Sequence, residues 1–222
     1  MTNLQGKDSP VESSNSDLEL MVKETQGLGP PRPSLLNNCG DGDVCQILTY
    51  PNPKLRSVNS NVPFDDKLRK LIADMAATMY TMDGIGLAAP QIGVSSRVFI
   101  VDILNGHYPK KGPASQLLIA VNPMIWLIPG KTSKESERCL SFPGAVEIIE
   151  RTNQIILKAF DMDGRPYAFG CTSDLARAIQ HEYDHLEGRL IIDHISKLRQ
   201  RKLKQSIKKS QKYTKATPLK FK

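Results

Sequence analysis

The sequence predicts an α+β fold in which antiparallel or mixed β-sheets pack around a central helix, followed by a C-terminal helix. Several β-branched or aromatic runs, typical of strands, occur between residues 97 and 160. One helix pattern follows these runs and another precedes them. Strands grouped together, with a central helix after them, favour α+β over a regular alternation of strands and helices.

The chain has 222 residues, which suits one domain with extensions. Residues 1–44 are rich in Ser, Asn, Gly, Pro and Asp, and they predict a flexible extension before a folded domain over residues 45–196. The first residues lack the basic and apolar regions of a secretory signal. No apolar run approaches the roughly 20 residues of a membrane helix. We therefore expect a cytoplasmic protein without a membrane partner. Separately, we expect a monomer.

The first helix is predicted to begin at Asp65 or Asp66 and to end before Asp83-Gly84. Its apolar residues recur at helical spacing and predict core positions: Leu68, Leu71, Ile72, Met75, Met79 and Met82. Strands are predicted at 97–102, 117–121, 145–149, 154–160 and 167–171, with a hairpin turn at 161–164. Thr172, Ser173 and Asp174 are candidate caps of the central helix.

The positive charge of the chain is concentrated at its end. Eleven Lys or Arg and no acid occur from Ser196 to Lys222, whereas the rest of the chain carries 19 basic and 23 acidic residues. We predict a basic C-terminal helix or tail over residues 197–222. Leu198, Leu203 and Ile207 form a thin apolar stripe that either docks on the domain or frays. The tail would attract phosphate backbones, or it is a solvated tail without a partner.

The central helix contains His181-Glu182-Tyr183-Asp184-His185. Helix positions four apart lie about 40° apart around the axis, so both histidines can hold one metal ion while Glu182 reaches a water molecule. The alternative to a metal site is a helix with two solvated histidines and with ion pairs among Glu182, Asp184 and Arg189.

A catalytic metal site needs a third protein ligand and an open position for water. Ile191 stands where a downstream histidine would be expected, and no acid follows Asp193. Asp193 and His194 are possible ligands if the chain turns back. Cys139 and Cys171 are candidates upstream, although Cys171 is more typical of a small buried residue. With Cys39 and Cys45 they are interpreted as reduced thiols or ligands, a disulfide being the alternative.

Three segments together resemble the motifs of the peptide deformylases. They are GIGLAAPQ at 84–91, ERCLS at 137–141 and QHEYDHLEG at 180–188, and the similarity runs from about Val44 to about Lys204. Read alone, the first segment indicates only a backbone open to close approach, with Gln91 as a neutral donor. The family usually has a small residue, often glycine, where this chain has Arg138, which bears on the shape and charge of the peptide cleft.

This resemblance implies a metal-dependent hydrolase that removes formyl from the formylmethionine of nascent bacterial polypeptides and releases formate. Cys139, His181 and His185 would bind the ion, Glu182 would transfer the proton, and Gln91 with the Leu140 N–H would stabilise the oxyanion. The substrate would add as a strand between the backbone of Gly84, Ile85 and Gly86 and that of Arg138. The roles of these residues are implied by the three motifs alone.

The resemblance also implies Fe(II) as the ion in the cell, with Zn(II), Ni(II) or Co(II) as replacements. It further implies that a basic C-terminal helix can contact the ribosome. Two rival interpretations remain open from the residues themselves. One is a zinc endopeptidase, and the other is a closed structural zinc site of Cys139, Cys171, His181 and His185 in a nucleic-acid-binding domain.

Overall fold

The computed structural model describes residues 19, 25–31, 41–103 and 117–216, with side chains in the last helix up to residue 209. Most of the predicted N-terminal extension, Cys39 and the last six residues lie outside this range. The first helix, α1, spans Asp66–Thr81, and it begins where Asp65 accepts a hydrogen bond from the Leu68 N–H at 2.9 Å. Met75 and Met79 are fully buried, as predicted.

Met82 is the exception in the predicted apolar series of α1. It is the C-terminal capping residue rather than a helical core position, and 48% of it is exposed. The helical spacing ends with α1, so Met82 points toward the cleft described below instead of the core.

The main sheet has five antiparallel strands in the order β1-β2-β3-β6-β7, and a second sheet pairs β4 with β5. Their bounds are β1 Gly86–Ala88, β2 Val98–Val101, β3 Leu118–Leu127, β4 Thr132–Glu137, β5 Glu147–Thr152, β6 Gln154–Phe160 and β7 Pro166–Thr172. The predicted α+β class and hairpin turn are confirmed. In that turn the Asp161 carboxylate accepts from the N–H groups of Asp163 and Arg165.

Two strands were not predicted, and one is longer than predicted. β1 has only three residues, Gly86, Leu87 and Ala88, and β4 carries only Thr, Ser, Lys and Glu, so neither shows the apolar run of a longer strand. β3 was predicted to end at Val121 but continues through Pro123 to Leu127. The register shifts there, and Asn122 adopts a left-handed φ of 49°.

Helix α2 spans Ser173–Leu186 and is the central helix of the fold. It contacts β1 and β2 of the main sheet on one side and β5 of the second sheet on another. Thr172 is its N-cap residue but makes no side-chain capping hydrogen bond. Ten of the fourteen residues are buried, which places the predicted motif in the interior.

Helix α3 spans Lys197–Ala216 and docks on the domain. Leu203 is only 8% exposed and joins an apolar cluster with Phe142 and Ile195, against which Ile207 is partly buried. Leu198 is 62% exposed, so the predicted stripe includes one residue that does not pack. The Arg199 guanidinium also pairs with the Glu147 carboxylate at 2.9 Å.

Candidate metal centre

Three potential ligand side chains converge at the middle of α2. The Cys139 Sγ lies 3.3 Å from the His185 Nε2, and the His181 and His185 rings are 5.3 Å apart between centroids. One ligand atom from each of Cys139, His181 and His185 lies within 4.8 Å of the others, and all three side chains are buried. Helical spacing brings the histidines together, while Cys139 comes from the loop that follows β4.

The chemistry of these groups fits a divalent metal ion. Burial opposes ionisation of Cys139, but the imidazoles of His185 and His181 lower the pKa of the thiol to about 5. Burial likewise opposes the charged form of His181, yet Cys139 and Glu137 raise the pKa of this imidazole well above its ordinary value. The centre therefore attracts positive charge. One thiolate with two imidazoles is a donor set typical of divalent transition metals.

Glu137 orients the His181 imidazole through a hydrogen bond on the side away from the ligand group. The His181 Nδ1 donates to the Glu137 Oε2 at 2.9 Å, which leaves the Nε2 atom of that ring for the centre. Arg151 donates to both oxygens of Glu137, at 2.9 and 3.0 Å, and Arg177 donates to one at 2.8 Å. Although burial opposes it, the hydrogen bonds from His181 and Arg151 hold the pKa of Glu137 well below its usual range.

Asp184 extends this network to the far side of α2. The Arg151 Nη1 donates to the Asp184 Oδ2 at 2.6 Å, and the His194 Nε2 donates to the same oxygen at 2.7 Å. Burial opposes the ionised form, but His194 and Arg151 keep the pKa of Asp184 well below its usual range. We define Glu137, Arg151, Asp184 and His194 as the rear network.

Sequence reasoning missed the rear network. Asp184 was interpreted only as part of an alternative surface ion pair, and Glu137 and Arg151 were assigned no role. A signal was present in β5, where Glu147, Ile149 and Arg151 are the buried positions of an alternating strand. A charged residue at an inward position requires a buried partner.

The structure excludes the other candidate ligands from the cluster. His194 pairs with Asp184, and Asp193 pairs with Arg56 at 2.6 Å while capping the Leu190 N–H at 2.9 Å. Cys171 lies in β7 within the main core, where burial raises the pKa of its thiol to about 12. It is not in the ligand group found among the described residues. The closed four-ligand site with Cys171 is therefore wrong.

Glu182 faces the centre from the next position on α2. Its side chain is 5% exposed, and its Oε2 atom has no hydrogen-bond partner among the described residues. Burial raises the pKa of this carboxyl to about 7, although His181 and His185 oppose the change. A Cβ atom at Gly86 would lie only 2.9 Å from the Glu182 Cδ, so a side chain there would displace the Glu182 carboxyl group.

Gln91 and Leu140 present hydrogen-bond donors beside Cys139. The Ala88 N–H donates to the Gln91 Oε1 at 2.8 Å, which turns the Gln91 Nε2 toward the Cys139 Sγ at 3.6 Å and the Ser141 Oγ at 3.3 Å. The Leu140 N–H has no acceptor in the part of the chain that the structure describes. Among the described residues the Leu140 N–H is therefore available to a ligand, whereas the Gln91 amide already contacts Cys139 and Ser141.

The centre opens into a cleft of about 880 Å³. Gly84, Ile85, Gly86 and Arg138 all line it, so the predicted substrate-binding residues face a common space. The apolar part of the lining includes Met82, Ile85, Leu140, Phe142, Val146 and Ala178. Such a cleft suits an extended chain with an apolar side chain beside the centre. None of the helices in the described ranges has the length and apolarity that crossing a membrane requires.

The chain is similar throughout its folded part to proteins of one family. The family model described as polypeptide deformylase matches residues 44–201. A peptide deformylase from Alkalilimnicola ehrlichii is 40% identical over 167 residues, covering 75% of this chain and 90% of the relative. One from Hydrogenovibrio crunogenus is 42% identical over 168 residues, covering 75% and 95%.

Solved structures have the same fold. The crystal structure of a peptide deformylase from Legionella pneumophila superposes with a TM-score of 0.70 at 35% identity, covering 79% of this chain and 99% of that one. A peptide deformylase from Plasmodium falciparum gives a TM-score of 0.68 at 31% identity, covering 79% and 100%. The similarity therefore covers nearly the whole length of these relatives.

Proposed function

The chain belongs to the polypeptide deformylase family, and we propose that Cys139, His181 and His185 bind its metal ion while Glu182 transfers protons. The family reaction, which is that of this chain, removes the formyl group from the N-terminal formylmethionine of new proteins. The proposed ligand set rests on the short distances among the three side chains. The observation that carries the role of Glu182 is its buried, unpartnered Oε2 atom beside that ligand group.

Each step of hydrolysis has a group available for it. A bound divalent ion supplies a Lewis acid that polarises the formyl oxygen and acidifies a water molecule. Glu182 accepts a proton as the water oxygen attacks the formyl carbon, and it delivers that proton to the methionine nitrogen as the C–N bond breaks. Formate and a free amine result. Gln91 Nε2 and the Leu140 N–H donate to the oxygen that gains negative charge, each worth about 3–4 kcal/mol in other hydrolases.

We propose that the substrate lies as an added strand between two backbone segments. Gly84, Ile85 and Gly86 contribute one side, and Arg138 contributes the other. Main-chain pairing does not depend on side chains, so one enzyme can process many different N-termini. Methionine would occupy the apolar part of the cleft, near Leu140 and Ala178.

We propose Fe(II) as the ion in the cell, with Zn(II), Ni(II) or Co(II) as replacements. A thiolate with two imidazoles accommodates all four, so availability and redox state decide which ion is bound. Purification without oxygen, followed by metal analysis and a formate-release assay on the same sample, tests this proposal. We expect one iron per chain and release of formate from formyl-Met-Ala-Ser, without cleavage of casein. Casein cleavage without formate release would instead support an endopeptidase.

We also propose a monomeric, cytoplasmic enzyme whose basic helix α3 contacts the ribosome. Lys202, Lys208 and Lys209 are exposed on α3, and such cations bind phosphate backbones in a salt-dependent manner. Because Leu203 packs into the domain, changing charges tests the idea better than deleting the helix. Lys202, Lys208 and Lys209 would be changed to Gln, with Lys54, Lys67 and Lys131 changed to Gln as the control. Equal ribosome co-sedimentation of the two variants would contradict the role of α3.

A further inference from the structure

Arg138 is an exposed cation on the rim of the cleft. It lies between Glu137 and Cys139, which are both buried, so its side chain points away from the metal centre. It nevertheless lines the cleft, because its backbone continues directly into the loop that carries Cys139. The Arg138 side chain is therefore placed to contact a ligand that lies across the mouth of the cleft.

Arg138 differs from the other arginines near the centre in having no partner among the described residues. Arg151 pairs with Glu137 and Asp184, and Arg177 pairs with Glu137. Among the residues that the structure describes, no acid or acceptor is paired with Arg138. Its charge is thus available to a ligand rather than used within the fold.

Glu135 and Glu137, the acidic residues of β4 that line the cleft, do not lie on the face of Arg138. The β4–β5 register pairs Glu137 with Glu147, so one further step places Arg138 opposite Val146, which is 47% exposed. Glu135 lies on the opposite face of the strand, where its carboxylate is 3.4 Å from the Arg177 guanidinium. Along this part of the rim, a chain passing over the outer face therefore meets Val146 and the positive charge of Arg138.

We propose that Arg138 determines specificity by favouring substrates with an acidic residue directly after the formylmethionine. This inference rests on the proposed strand-like binding of the substrate. Side chains on neighbouring strands share faces, and successive side chains alternate between faces. If methionine points into the cleft, residue 2 points outward, to the face of Arg138, and residue 3 points inward again. An Asp or Glu at residue 2 would then form a cross-strand pair with Arg138, whereas Lys would be repelled.

This inference is tested by comparing two substrates with the wild-type enzyme and with each variant. The kcat/KM for formate release would be compared between formyl-Met-Asp-Ser and formyl-Met-Lys-Ser, using the metal-loaded full-length protein. We expect wild type to prefer the Asp peptide by about two- to tenfold at low salt, the range expected from one cross-strand charge pair and one repulsion. The preference should shrink in 0.5 M salt, where the screening length falls well below ~10 Å.

Substitutions assign the preference to Arg138. Arg138→Gly should bring the ratio close to one, and Arg138→Glu should reverse it. Lys134→Glu is the matched control, because Lys134 lies on the same exposed face of β4, pairs with Glu150 at 3.5 Å and does not line the cleft. Its ratio should equal that of wild type. Formyl-Met-Ala-Asp and formyl-Met-Ala-Lys should differ less than the residue-2 pair.

A ratio that Arg138→Glu leaves unchanged would overturn the inference, and so would an equal or larger preference at residue 3. Either result can occur while formyl-Met-Ala-Ser is hydrolysed normally, which separates this inference from the proposed function. Failure of wild type to release formate from that neutral peptide would contradict both.

Discussion

Buried carboxyl groups on the two sides of the metal centre have pKa values that are shifted in opposite directions. Behind the histidines, Glu137 and Asp184 are surrounded by Arg151, Arg177 and His194, and their pKa values fall. In front of them, Glu182 is just as buried but has no ion-pair partner in the described part of the chain, and its pKa rises to about 7. Burial alone disfavours a charge, and partners reverse that effect.

This difference in pKa separates the carboxylates that can orient an imidazole from the carboxyl group that can exchange a proton. A permanently ionised and fully paired carboxylate can orient an imidazole, but it cannot exchange protons near neutral pH. A carboxyl group with a pKa near 7 and a free oxygen can accept and return a proton. The rear network therefore supports His181, and Glu182 is the group left free to react.

Glu182→Ala should have the largest effect, and it should fall on activity alone. We expect kcat to drop by about 10³- to 10⁴-fold, because the proton acceptor is lost. The free energy of unfolding should not decrease, since an unpaired buried carboxyl is removed. Formate release, metal content and urea unfolding would be measured on one preparation. Turnover near the wild-type rate with full metal content would contradict the proposed mechanism.

Arg151→Met should show the reverse pattern, with its main effect on stability. The change leaves Glu137 and Asp184 without their shared cation, and breaking a buried ion pair costs about 3–5 kcal/mol. Urea unfolding of the metal-free protein would measure this loss. Arg165→Met is a suitable control, because Arg165 is exposed and its ion pairs are at the surface. A loss below 1 kcal/mol would show that the rear network is not the main support.

Asp184→Asn should cost about 1–3 kcal/mol at neutral pH, because a charged hydrogen-bond acceptor is lost. The pKa of Asp184 is lower in the folded than in the unfolded protein, where it is near 3.8. Its contribution is therefore complete above about pH 4 and is lost as the pH falls below that value. Urea unfolding at pH 7, 5 and 3.5 should show the difference between wild type and variant narrowing only at the lowest pH. A constant difference would contradict an ionised Asp184.

His194→Gln should have the smallest effect, about 0.5–1.5 kcal/mol, because glutamine still offers a donor at the edge of the network. Asp184 would keep its bond to Arg151 at 2.6 Å. Thermal unfolding of wild type and variant would measure the change. A loss as large as that of Arg151→Met would mean that His194, and not Arg151, anchors Asp184.

Prediction from sequence worked where one local rule decided the structure. The apolar spacing of α1, the β-branched run of β6 and the 161–164 turn follow from residues close together in the chain. β4 could not be predicted, because its polar residues form a strand only by pairing with β5. Met82 fits the spacing of α1 but lies beyond its end.

The same limit applies to the candidate site. His181 and His185 follow from helical spacing, and Cys139 was one of several candidates until the family motifs singled it out. The partners behind them were not predictable, since Glu137, Arg151 and Asp184 meet only after the second sheet packs on α2. Identifying that cluster required the tertiary structure.

The position of Cys139 bears on the thermal stability of the folded chain and on its resistance to proteolysis. Cys139 and His185 are 46 residues apart in sequence, yet their side chains meet at the centre. An ion held by both would act as a reversible cross-link between the second sheet and α2, closing a long loop of the unfolded chain. Chelation should therefore lower the melting temperature and hasten proteolysis between residues 138 and 146. Loss of the ion would limit the lifetime of the protein as well as its turnover.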